Sequence, residues 1–110
     1  DAGPNPARLL TVAVANCLSA SLLFALRKFK NDPGAMRAVA TTRLARNEQN
    51  RMRIAGIDVD LHLGVPGAEM KLLDRALEQF EEFCIVTQSV RAAFPVKVRV
   101  HDSQGSLLKE

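Results

Sequence analysis

The sequence predicts one mixed helix-and-strand domain in the order helix, hairpin, helix, strand. Three patterns predict it. Leu9 to Leu26 carries no charged residue and is bounded by helix start and stop signals. Met36 to Leu63 alternates with period two around a polar turn. Leu72, Leu73, Ala76, Leu77, Phe80 and Phe83 then recur at helical spacing, before Val96, Val98 and Val100 return to alternation. A chain of 110 residues has room for a single domain, residues 1–110.

The first helix starts at Asn5, a good N-cap, with Pro6 at its first position. It runs to about Phe29, and Arg27, Lys28 and Lys30 complement the dipole at its end. Asn31-Asp32-Pro33-Gly34 stops it. The uncharged stretch sits at the short edge of what a bilayer needs. Thr11, Asn16, Ser19 and Ser21 interrupt it, so it reads as a helix buried on nearly all sides, in a domain or a dimer, rather than a membrane span.

In the hairpin, Met36, Ala38, Ala40, Thr42 and Leu44 share one face, and Arg46 to Asn50 form the turn. The return strand changes parity between Met52/Ile54 and Ile57/Val59/Leu61/Leu63. The change falls at Ala55-Gly56, which predicts a β-bulge. Gly64-Val65-Pro66-Gly67 breaks the strand. A second helix is expected from about Ala68 to Phe83. Ile85 to Val90 either extends it past a kink or begins a short helix of its own. Val96 to Val100 reads as an edge-type strand, and the tail beyond Gly105 as frayed.

Composition narrows the function classes. Apolar residues make up 47% and charged residues 25%, which excludes a disordered chain. Two Cys are too few for a disulfide scaffold and point to a reducing, cytoplasmic setting. A net charge of +3 is no nucleic-acid footprint by itself. Arg37, Arg43, Arg46, Arg51 and Arg53 make the hairpin basic, yet it has no aromatic residue on which bases could stack. The chain opens on Asp1 rather than Met and has no signal-peptide layout near it, which reads as a processed chain or part of a longer one. An all-apolar helix under so few covering elements predicts a partner subunit, missing N-terminal structure or both, and a homodimer is the leading expectation.

Cys17 lies mid-way along the apolar helix and Cys84 follows the second helix. They read either as two buried small hydrophobes or as a redox pair, in which one thiolate attacks and the other resolves the sulfenic acid. Redox work needs an acidic thiol. Cys17 is too deep in its helix for the dipole to help. Arg8 is about 14 Å away along the axis. Glu81 and Glu82 would raise the Cys84 pKa if close, which suits a resolving thiol.

These residues resemble the OsmC/Ohr family, the osmotically inducible and organic hydroperoxide resistance proteins. Gly3-Pro4-Asn5-Pro6, Leu9-Leu10, Ala13 to Ala15 and Cys17-Leu18 resemble its central-helix motif. Glu82-Phe83-Cys84-Ile85-Val86, Ser89-Val90 and Pro95-Val96 through Asp102 and Gly105 resemble its second-cysteine helix and last strand. The resemblance implies an α+β fold that forms an intimate, intertwined dimer. It implies reduction of organic hydroperoxides, with Cys17 peroxidatic, Cys84 resolving and a dithiol such as a lipoylated protein as reductant. No metal or organic cofactor is implied. Two departures stand out. Peroxidase members carry Glu directly after the Asn-Pro pair, where it holds an activating Arg, and this chain has Ala7. The family's N-terminal β-region, which supplies that Arg, does not precede the helix here.

Other constellations are weaker. Asp58, Asp60 and His62 share a strand face, which is either a metal edge or a solvated surface. His62 and His101 have no ligand spacing with the two Cys. GxGxxG, P-loop and GxSxG motifs do not occur. The leading expectation is a thiol peroxidase for organic hydroperoxides. The alternative is a non-catalytic dimeric module of the same fold, binding an apolar small molecule or no known ligand.

Overall fold

The computed structural model describes residues 5–110. The helix signals hold in order. Helix α1 spans Pro6–Lys28, and the Asn5 side-chain oxygen accepts from the Arg8 N–H at 2.9 Å. At the other end the Asn31 N–H reaches the Leu26 carbonyl and the Lys30 N–H that of Arg27, a closed C-terminal turn. That turn places Lys30 at φ 64, where Gly is the usual occupant. Asn31 is buried and clasps Lys71, donating to its carbonyl at 2.8 Å and accepting from its N–H at 2.7 Å.

Strands β1 (Arg37–Arg46) and β2 (Met52–His62) form the hairpin. Its register slips between Arg43 and Leu44, which pair with Gly56 and Ile54, so Ala55 is the bulged residue. Arg43 lies over Gly56, where a Cβ would collide with its guanidinium, and donates from Nε to Asp58 at 2.8 Å. The turn closes on Asn47, whose side chain accepts from Gln49 and Arg51 N–H groups, with Asn50 at φ 62.

The chain then crosses to β3 (Val96–His101), which runs parallel to β2 with His62 opposite His101. Two short helices lie on the crossing, α2 (Leu73–Gln79) and α3 (Ile85–Val90), joined through a 3-10 turn at Phe80–Phe83. Strand β4 (Leu107–Lys109) closes a four-stranded sheet of order β1-β2-β3-β4. One sheet face carries Ile57, Val59, Leu61, Val96, Val98 and Val100, and α1 covers it with Val14, Leu18, Leu22 and Leu26. Asp58, Asp60, His62, Lys97, Arg99 and His101 alternate with these residues and point to the other face.

Three expectations are corrected, one open alternative is settled, and the cover of α1 is narrowed. The second helix begins at Leu73, not Ala68, because Leu72 takes a left-handed conformation at φ 51 and Gly67–Glu69 forms a separate 3-10 turn. Of the two readings of Ile85 to Val90, the separate helix holds, since Cys84 is extended between Phe83 and Ile85. Strand β3 is interior rather than an edge, because its alternation reported the two faces of the sheet and not its neighbours. The tail is a strand, not frayed. Lys109 donates to the Leu77 carbonyl and pairs with Glu81. Lastly, α1 is buried on one face only within a single chain. Leu9, Val12 and Phe24 are 60%, 62% and 72% exposed.

Candidate functional site

The helical repeat sets where Cys17 points. Thr11, Val14, Leu18, Leu22 and Ala25 make the buried face of α1. Cys17 falls one step round from Leu18, on the flank between that face and the exposed Ala13, Ala20 and Phe24. It is half-buried. The 3-10 turn and α3 pack against α1. They bring Cys84, fully buried, close enough to Cys17 for the two thiols to influence each other. Both residues are free thiols.

Burial pushes the Cys84 thiol above its ordinary pKa, and the neighbouring Cys17 thiol adds to the rise. The Thr87 hydroxyl and backbone N–H act in the opposite sense. Cys84 Sγ donates to Thr87 Oγ1 at 2.9 Å, and Thr87 is itself fully buried. The expected effect of Glu81 and Glu82 on Cys84 is corrected here: the rise comes from burial and Cys17. The Glu81 carboxylate is instead engaged by Arg91 at 2.5 Å and Lys109 at 2.7 Å. Burial opposes its ionisation, but those two cations outweigh burial and hold its carboxyl below the usual range. Its backbone carbonyl accepts from the Cys84 N–H at 3.2 Å and from Gln88 Nε2 at 2.9 Å.

Arg8 is on the far side of α1 from Cys17. It lines a groove of about 790 Å³ between α1 and β1, with Thr11, Val12, Ala15, Ala40 and Leu44 among its walls. Neither thiol lines this groove. The groove is therefore separate from the two cysteines. The side chains of Thr11 and Thr42 hydrogen-bond across its floor.

The strand-face constellation is held by arginines. Asp58 pairs with Arg43 at 2.8 Å, and Asp60 with Arg99 and His101, each at 2.9 Å. His62 stacks on His101, ring centroids 4.7 Å apart. Among the described residues no three His, Cys, Asp or Glu side chains are grouped to hold a metal ion.

Thr87, Arg91 and Lys109 were not singled out from the sequence. Thr87 sits three residues after Cys84, helical spacing that would have placed it on the thiol's face. No local pattern pointed to Arg91 or Lys109.

Comparison with known proteins places the fold. No curated protein matches the sequence. A hypothetical protein from Aquifex aeolicus VF5 superposes with TM-score 0.73 at 18% identity, over 93% of this chain and 76% of that one. An organic hydroperoxide resistance protein OsmC from Legionella pneumophila does so with TM-score 0.72 at 17% identity, over 91% and 71%. The organic hydroperoxide resistance protein OhrB of Bacillus subtilis gives 0.72 at 19%, over 91% and 72%. At these identities the likeness is one of fold. The family described as OsmC-like protein matches residues 1–99, and the chain belongs to that family.

Proposed function

We propose that this chain is a thiol-dependent peroxidase acting on organic hydroperoxides in the cytoplasm. One observation carries the reading: Cys17 and Cys84, far apart in sequence, are brought close enough for their thiols to interact, as α3 and the turn before it pack on α1. In the first step the Cys17 thiolate attacks the distal peroxide oxygen. The O–O bond breaks, the alkoxide takes a proton and leaves as an alcohol, and Cys17 becomes a sulfenic acid. In the second step Cys84 sulfur bonds to Cys17 sulfur, the S–O bond breaks and water leaves. A dithiol reductant, such as a lipoylated protein, then returns both thiols by exchange.

The half-buried flank position of Cys17 supports its role as the attacking thiol, since substrate must reach it. Full burial suits Cys84 as the resolver, shielded from direct oxidation. Leu9, Val12 and Phe24 on α1, and Phe83 and Ile85 on either side of Cys84, are exposed apolar side chains. Their exposure supports a homodimer that covers α1.

A second reading is a non-catalytic dimeric module that binds an apolar small molecule. Ala7 in place of the family's Glu and the separate α1–β1 groove favour it.

Intact and peptide mass spectrometry separates the two readings. Reduced protein receives one equivalent of cumene hydroperoxide beside Cys17→Ser and Cys84→Ser variants. The peroxidase loses two hydrogens quickly and yields a linked Cys17–Cys84 peptide, and Cys84→Ser accumulates sulfenic acid on Cys17. Thiols that stay reduced at doses that oxidise free cysteine refute it in favour of the binding module.

A further inference from the structure

We propose that Thr87 is the positioning residue of the resolving thiol: its buried hydroxyl aims Cys84 Sγ at Cys17 and then stabilises the thiolate that attacks. The inference rests on the redox reading above and names a residue that reading does not use.

A hydroxyl at a fully buried position is costly unless it has a partner. Valine would fill the same space without that cost. The partner Thr87 has is Cys84 Sγ, at 2.9 Å. Cys84 is extended at φ −84, ψ 95, immediately before α3, so its side chain folds back over the first turn and meets Thr87. The Thr87 backbone N–H lies on the same side, short of a full capping hydrogen bond. The thiol is thereby held by one fixed hydroxyl, on elements that pack against the helix carrying Cys17.

The hydroxyl has two roles in sequence. In the reduced protein it accepts the Cys84 S–H, which fixes the sulfur's direction. During resolution the Cys84 proton leaves with the hydroxyl of the Cys17 sulfenic acid as water, and the sulfur's electron pair forms the S–S bond. As negative charge builds on Cys84 sulfur, the Thr87 O–H rotates and donates to it. A hydrogen bond to a charged group is worth enough to change this step about tenfold.

The test compares Thr87→Val, which keeps the shape, with Thr87→Ser, which keeps the hydroxyl. The first readout is the thiolate absorbance near 240 nm against pH in a Cys17→Ser background. The chain has no Trp or Tyr, so Cys84 alone gives the signal. The second is the lifetime of the Cys17 sulfenic acid after one equivalent of hydroperoxide, sampled by dimedone trapping. Thr87→Val should move the Cys84 midpoint up by about one pH unit and lengthen the sulfenate lifetime about tenfold. Thr87→Ser should restore both. A folded Thr87→Val with an unchanged midpoint overturns the proposal, as does failure of Thr87→Ser to restore it. Thr87→Ala replaces the valine variant if that does not fold. If hydroperoxide leaves Cys17 reduced, the peroxidase reading falls on its own, and the positioning proposal falls with the reaction it serves.

Discussion

Glu81 joins three parts of the structure that are distant in sequence, and removing its charge tests whether they hold the second cysteine in place. Its side chain is 16% exposed, and those of Arg91 and Lys109 are 29% and 26% exposed. Arg91 lies just past α3 and Lys109 lies on β4, while Glu81 precedes Cys84. In Glu81→Gln both cations keep their shape and lose their counter-charge. Breaking a buried pair costs about 3–5 kcal/mol, whereas exposed pairs are worth about 0–1 kcal/mol. Partial exposure discounts the buried figure to about 2 kcal/mol, part of which Lys109 recovers through the Leu77 carbonyl and the Phe80 ring.

The assay is urea unfolding at fixed protein concentration. With a slope of about 1.5 kcal/mol/M, the midpoint should fall by about 1 M. The sign with pH follows from the lowered Glu81 carboxyl. Its stabilisation is complete above the unfolded value of about 4.3 and is lost as pH falls through the folded one. The difference between wild type and Glu81→Gln should therefore shrink below about pH 4. A midpoint shift under about 0.3 M at pH 7 would refute the reasoning, because it would make the cluster a solvent-screened surface contact.

Two further changes test the turn that ends α1. Asn31→Ala strips both partners from the Lys71 backbone and should destabilise by about 1–3 kcal/mol in the same urea assay, against no change if water replaces the amide. Lys30→Gly relieves a left-handed residue and should raise stability by about 1 kcal/mol, with a loss of stability refuting the strain argument.

Relating the structure to its sequence separates local from distant causes. Asn5-Pro6, the Asn31-to-Gly34 stop and the Ala55-Gly56 bulge are settled by near neighbours, and each was legible. The start of α2 was not, since the apolar spacing from Leu72 onward is the same whether the backbone at Leu72 is helical or left-handed. Strand β4 was missed because three residues are too few to show alternation and their support comes from Leu77 and Glu81.

The two cysteines follow the same division. Their identity, and the resemblance that pairs them, stand in the sequence. Their proximity depends on α3 packing against α1, and Thr87 reaches Cys84 only because Cys84 is extended where a continuous helix was one of two readings. The sequence by itself determined the elements, their caps and their inward faces, because those depend on residues a few positions apart. Only the tertiary structure decided that β3 lies inside the sheet, that one side of α1 stays uncovered in a single chain, and that a buried hydroxyl faces the second thiol. Each of these is a contact between distant segments, and no local pattern encodes which segments meet.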